Sequence, residues 1–226
     1  MPLPTAILNR ADGVLRARPI DTAISPMGRL LRLAGLVVLF GMLYGGVMGT
    51  FGGLTPDRAL QISYSAVKVP MLLFITFALG LPSFFVVNTL LGLRDDLSDA
   101  LRALVSAQAG LTVVLASLAP FTAFWYVSSA NYSVAILFNA AMFATASFAG
   151  QAVLRKHYAP LIARNPRHRL VMWCWLVVYA FVGIQMGWVL RPFIGSPDMA
   201  TRFFREGAWS NAYLELIEII GRALGG

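Results

Sequence analysis

The chain has 226 residues, 58% of them hydrophobic and 12% charged, with a formal net charge of +8 and a mean hydropathy of +0.71. Soluble domains carry roughly 45–50% apolar and about 25% charged residues, so this composition excludes an ordinary soluble domain and points to a membrane protein. Nucleic acid is not the expected partner of the positive charge. The polar stretches hold no RNA-binding signature and too few aromatics to stack bases, whereas basic loops fix the orientation of membrane proteins.

In chain order, residues 1–30 read as a cytoplasmic tail. The first 28 residues include Arg10, Arg16 and Arg18 but also Asp12, Asp21 and four prolines, and lack the apolar core of a signal peptide. Five apolar stretches follow, at about 33–53, 69–93, 103–127, 132–154 and 170–190. A hydrocarbon core of about 30 Å needs about 20 helical residues. Barrel strands would instead alternate apolar and polar side chains over about ten residues. These runs are apolar on every side, so the expected fold is all-α and polytopic. Five transmembrane helices occupy 31–191, and a non-cytoplasmic tail with an amphipathic helix occupies 192–226. The N-terminal tail and the second and fourth connections hold twelve lysines and arginines, against six on the other side. That bias predicts the N-terminus inside and the C-terminus outside.

Two amphipathic pieces flank the spans. "DDLSDALRAL" opens with Asp95, Asp96 and Asp99, suited to a helix N-terminus, and is expected to run along the membrane face before turning in. "NAYLELIEIIGRAL" puts Glu215, Glu218 and Arg222 on one face and Tyr213, Ile217, Ile220 and Leu224 on another, an interfacial pattern.

Inside the spans, Gly41, Gly45, Gly49 and Gly53 recur every four residues, and Gly183 and Gly187 repeat the motif in the fifth span. Such stripes let helix backbones touch, either between copies or within one chain, and the first and fifth spans are expected to meet there. Pro82 and Pro120 are expected to kink their helices and free the carbonyls of Ala78 and Ala116. Asn88, Asn139 and Gln185 are the expected donors for such groups. They read as interhelical hydrogen bonds or, alternatively, as the polar lining of a small path. Lys68, at the end of the second span, is expected to snorkel to the interface.

No aspartate, glutamate or histidine lies inside the five stretches, which argues against ion-coupled transport. His157, His168 and Cys174 match no zinc spacing, and no HExxH, GxSxG or phosphate loop occurs. The expectation is therefore a non-enzyme without cofactor or metal. Cys174, the only cysteine, cannot form an internal disulfide. "NYS" at Asn131 is a glycosylation triplet in a short loop. "LRPFIGSP" after the fifth span, with Arg191 and then Arg202, Arg205 and Trp209, reads as an interfacial anchor or a docking surface for a partner or anionic lipid.

The five-span layout, the basic tail and the proline-bearing "KVPMLLFITFALGLPSFFVVNTLLG" resemble the bacterial members of the Yip1 superfamily over about 30–190. The resemblance implies a helical membrane fold and location in a bacterial inner membrane. The "DLYGP"-type tail motif is absent, so trafficking partners are not implied. The expected partners are the lipid bilayer and other membrane subunits or further copies of the chain. The expected role is packing subunit or scaffold of a membrane complex. The alternative is a small oligomeric channel lined by Asn88, Asn139 and Gln185.

Overall fold

The computed structural model describes residues 3–17, 25–196, 200–205 and 211–214. The described residues contain no strand. Their α-helices are α1 (Leu3–Leu15), α2 (Pro26–Gly49), α3 (Ala59–Leu90), α4 (Leu97–Ser128), α5 (Tyr132–Arg164) and α6 (Arg167–Val189), with residues 212–214 also helical. The helices α2 to α6 are long and apolar enough to cross a membrane, so the protein is an all-α, multi-pass helical bundle.

Local chemistry sets the helix ends. Ser25 Oγ accepts from the Gly28 amide at 3.1 Å with Pro26 in the first turn, and Asn131 Oδ1 accepts from the Val134 amide at 3.1 Å. After α3, Gly92 takes φ +69°, and the Leu93 and Gly92 amides donate to the carbonyls of Asn88 and Thr89. That is a Schellman stop, and it needs a residue at ease with positive φ. Helices α3, α4 and α5 have 32, 32 and 33 residues. At about 1.5 Å per residue they reach about 48 Å, well beyond a core of about 30 Å. This explains why they outrun the apolar stretches. Their polar ends, such as Gln61 to Lys68 in α3 and Arg155 to Arg164 in α5, stay helical.

The spans form an open ring in the order α6, α3, α2, α4, α5. Contacts are extensive between α2 and α3, α2 and α4, α4 and α5, and α3 and α6, but sparse between α5 and α6. One core cluster joins α2, α3, α4 and α5 around Tyr44, Leu73, Leu115 and Ala146. A second, around Leu104, Tyr158, Val171 and Trp175, closes the end of the bundle that holds the α3–α4 and α5–α6 turns. Short α1, which the sequence did not announce, packs on α4 with Ala11 buried and Ile7 and Val14 against the core.

The glycine stripe is used within the chain. A Cβ at Gly45 would lie 2.3 Å from the Ser65 carbonyl oxygen, and one at Gly49 would lie 2.6 Å from Ile62 Cα. At Gly41 it would meet Pro70 at 3.4 Å. Three glycines thus seat α2 on the backbone of α3. Gly53 is not part of this contact: it lies past α2, with φ +107° and nothing near its missing Cβ. Gly183 faces the Thr76 methyl at 3.5 Å, and Gly187 meets nothing within 4 Å. The first and fifth spans therefore do not pair through their glycines; each packs on α3 instead.

Helix α3 continues through Pro70 and Pro82, and α4 through Pro120. Two further expectations need correcting. Beyond the single turn Arg94–Asp96, "LSDALRAL" belongs to the continuous run of α4 and is not a separate helix along the membrane. Asp96 makes no side-chain cap bond, because its carboxylate is engaged by His168 and Arg164. The segment around Glu215, Glu218 and Arg222, and Trp209, lie outside the described residues.

If the α2–α3 contact is as described, Gly45→Ala and Gly49→Ala will each destabilise the purified protein by about 1–3 kcal/mol, because the new methyl overpacks a backbone contact. Gly35→Ala, whose Cβ meets nothing within 4 Å, will not. Apparent unfolding temperatures in detergent measure this, and equal values for all three would contradict the packing.

Candidate functional site

The segment after α6 lies across the first turns of α3. Arg58, Gln61, Ser65 and Lys68 recur at helical spacing on one face, and all donate to the carbonyls of Pro192, Phe193 or Gly195. Lys68 Nζ reaches Pro192 O at 2.7 Å and Arg58 Nη2 reaches Gly195 O at 2.8 Å. Ser65 Oγ and Gln61 Nε2 both approach Phe193 O. Tyr132 at the start of α5 completes the set, with its hydroxyl 3.1 Å from Ile194 O. Each buried backbone acceptor thereby finds a donor, as an irregular segment against a membrane bundle requires.

Lys68 is fully buried and does not snorkel. Its ammonium sits on the Pro192 carbonyl and 4.8 Å from the Phe203 ring centroid, a cation–π contact. The spacing 58, 61, 65, 68 was the signal in the sequence that would have found this strap. Of the residues expected to anchor or dock here, Arg191 stacks on Trp188 at 3.2 Å and its carbonyl accepts from the Arg205 amide. Arg202 is exposed beside Phe203.

The three expected polar residues do not come together. Asn139 binds within the α2–α4–α5 core: it accepts from the Tyr44 hydroxyl at 3.0 Å and donates to Tyr126 Oη at 2.7 Å and Ala135 O at 2.8 Å. Asn88 lies in the last turn of α3 and donates back to Phe84 O, four residues earlier. Gln185, near the opposite end of the bundle, accepts from the Ala212 amide at 3.0 Å. Asn139 thus makes an interhelical hydrogen bond to Tyr44, while the Asn88 amide donates to Phe84 O and not to Ala78 O.

A cavity of about 370 Å³ lies between α3, α4, α5 and α6, where the ring fails to close. Its wall is mainly leucine and aromatic, with Phe143, Trp175 and Tyr179, and contains no charged residue. Six side chains able to hydrogen-bond belong to it: Thr76, Gln108, Ser147, Gln151, Trp175 and Tyr179. Among them Thr76 Oγ1, Gln108 Nε2 and Tyr179 Oη are buried without a protein partner. A buried polar group left unpaired costs about 1–3 kcal/mol, so three in one wall is a departure from ordinary packing. Sequence reading passed over this set, since each residue alone is an unremarkable polar insertion in a span. Gly183 and Ala180 supply a thin wall on α6.

The seam between α5 and α6 is bounded at both ends. The Tyr132–Ile194 hydrogen bond ties one end. At the other, Tyr158 and Leu161 pack among Val171 and Met172. Beyond them His168 Nε2 meets Asp96 Oδ2 at 3.1 Å, and Arg164 meets Asp96 and Asp99 at 3.4 Å. The arginine ion pairs are partly exposed and contribute little stability singly, but together with the His168–Asp96 hydrogen bond they fix the α3–α4 turn to the α5–α6 turn. Among the described residues no group of three His, Cys, Asp or Glu is placed to hold a metal ion. No family model, curated protein or solved structure matches the chain.

The strap is testable by labelling. In a Cys174→Ala, Ser196→Cys background, Lys68→Met removes the donor to Pro192 O and is expected to raise the maleimide labelling rate at residue 196 several-fold. Lys156→Met, an exposed lysine in the last third of α5, serves as the control. Unchanged labelling in Lys68→Met would show that the strap is held by other contacts.

Proposed function

We propose that the protein is a non-enzymatic integral membrane protein that holds a neutral lipophilic molecule within the bilayer, in the cavity between α3, α4, α5 and α6. The observation that carries this reading is the uncharged cavity of about 370 Å³ beside the one seam of the ring where helices barely touch. Pockets that bury small molecules span about 300–1,000 Å³ and combine an apolar wall with a few polar groups. An ion in such a wall would have no counter-charge, so the occupant is neutral.

This reading replaces the channel alternative, whose three lining residues sit in separate places. It also departs from the scaffold role, whose supporting stripe is occupied by α3. Membership in a larger complex is a second reading, supported by exposed Phe148, Trp173 and Phe181 on the outer faces of α5 and α6.

Binding is read with tryptophan fluorescence in nanodiscs. Protein retaining only Trp175 is expected to show saturable quenching by 1,12-dibromododecane. Protein retaining only Trp173, which is 51% exposed on the same helix, is expected to show weak, unsaturable quenching from the bilayer. Gly183→Leu, which fills the thin wall, will abolish the saturable phase. Equal quenching of the two tryptophans would refute the cavity reading.

The orientation we propose is N-terminus inside, in the inner membrane of a bacterium, with the strap outside. It is supported by the distribution of basic residues. Cysteines at Ser129 and Ala163, in a Cys174→Ala background, are then expected to label from opposite sides, with Ala163 on the cytoplasmic side. Labelling of both from one side would overturn the topology.

A further inference from the structure

The cavity wall carries more information than its size, because of the kind of polar atom it leaves unpaired. Gln108 Nε2 is an amide nitrogen and can only donate, while the hydroxyls of Thr76 and Tyr179 donate freely. All three lack protein partners, and Thr76 and Gln108 are 1% and 5% exposed. An occupant that satisfies the set must therefore present acceptor oxygens, and it need not supply donors. No charged side chain lines the cavity, so those oxygens belong to a neutral group and not to a carboxylate or phosphate.

Depth and shape narrow the class further. Thr76 and Tyr179 stand near the middle of α3 and α6, and Ser147 near the middle of α5. The seam is tied at one end by Tyr132 on Ile194 O and packed at the other around Tyr158 and Val171. Entry is thus sideways, from the apolar interior of the bilayer, where a phospholipid headgroup does not go. An apolar cavity of about 150 Å³ takes a benzene ring. A cavity of about 370 Å³ accommodates a substituted ring with the start of a chain. Phe143, Trp175 and Tyr179 offer ring faces and edges for it.

Resting on the cavity reading, we propose that the occupant is a ring-bearing neutral lipophile with carbonyl oxygens, of the isoprenoid-quinone type. Its ring enters between α5 and α6 past Gly183, and its chain remains in the seam. On binding, the Gln108 amide and the Thr76 and Tyr179 hydroxyls turn to donate to the ring carbonyls. No electron transfer is part of the proposal; the protein holds or carries the molecule.

The test uses full-length protein retaining only Trp175, in nanodiscs, with two probes: decyl-benzoquinone and 1,12-dibromododecane. The quinone is expected to bind at least about ten-fold more tightly than the hydrocarbon, as two net hydrogen bonds imply. Gln108→Leu and Thr76→Val should each weaken the quinone about five-fold while leaving the hydrocarbon unchanged, and the unchanged hydrocarbon also verifies that the variants are folded. Saturable hydrocarbon binding with no preference for the quinone, or with quinone affinity indifferent to both substitutions, would overturn the assignment of class and leave the cavity reading standing. Absence of saturable quenching by either probe would overturn both.

Discussion

The contact on which the bundle depends is the seating of α2 on the backbone of α3 through Gly41, Gly45 and Gly49. In lipid, burying apolar surface does not by itself drive helices together, so close packing and hydrogen bonds must do it. Three glycines in register bring α2 near enough for the Ser65 carbonyl to occupy the space a Cβ would take. With one flank of α3 given to α2 and the other to α6, and α4 held between α2 and α5, the remaining helix pair is α5 and α6. Those two are joined by a short turn and cross packing at one end only. The opening between them follows from how the other contacts are spent.

Several polar side chains in the packed parts of the bundle are satisfied. Tyr44, Thr122, Tyr126 and Asn139 share one network, and the α3 stripe meets the carbonyls of Pro192, Phe193 and Gly195. Where the ring is open, Thr76, Gln108 and Tyr179 are left without partners. Buried polar atoms without a partner also occur elsewhere, at Asn88 Oδ1, Ser106 Oγ, Trp125 Nε1 and Tyr158 Oη among others, but three of them, Thr76 Oγ1, Gln108 Nε2 and Tyr179 Oη, line one cavity. Three such atoms in one wall support a ligand there more strongly than any one of them does.

Much of the fold was legible in the sequence because hydropathy is additive along the chain. The five spans follow from runs of about 20 apolar residues, and a charge-free wall was foreshadowed by the lack of acidic residues and histidines in them. The glycine stripe announced close packing between copies or within the chain, but spacing cannot name the partner helix, which is the neighbouring α3 and not α6. Gly53 broke the pattern because α2 stops before it. Asn88 and Gln185 were recognisable as hydrogen-bonding groups, yet their partners, Phe84 and Ala212, are fixed by helix register and tail path. Lys68 looked like a snorkelling residue because the segment that covers it lies more than a hundred positions away. The cavity was least legible of all, since it arises from a contact that α5 and α6 do not make.

Native mass spectrometry of the protein released from a mild detergent tests the central claim most directly, because it reads subunit number and bound small molecules together. The account predicts a single chain carrying one neutral adduct of a few hundred daltons, lost in Gly183→Leu. Bare species of two or more chains, with no adduct on the wild-type protein, would contradict it.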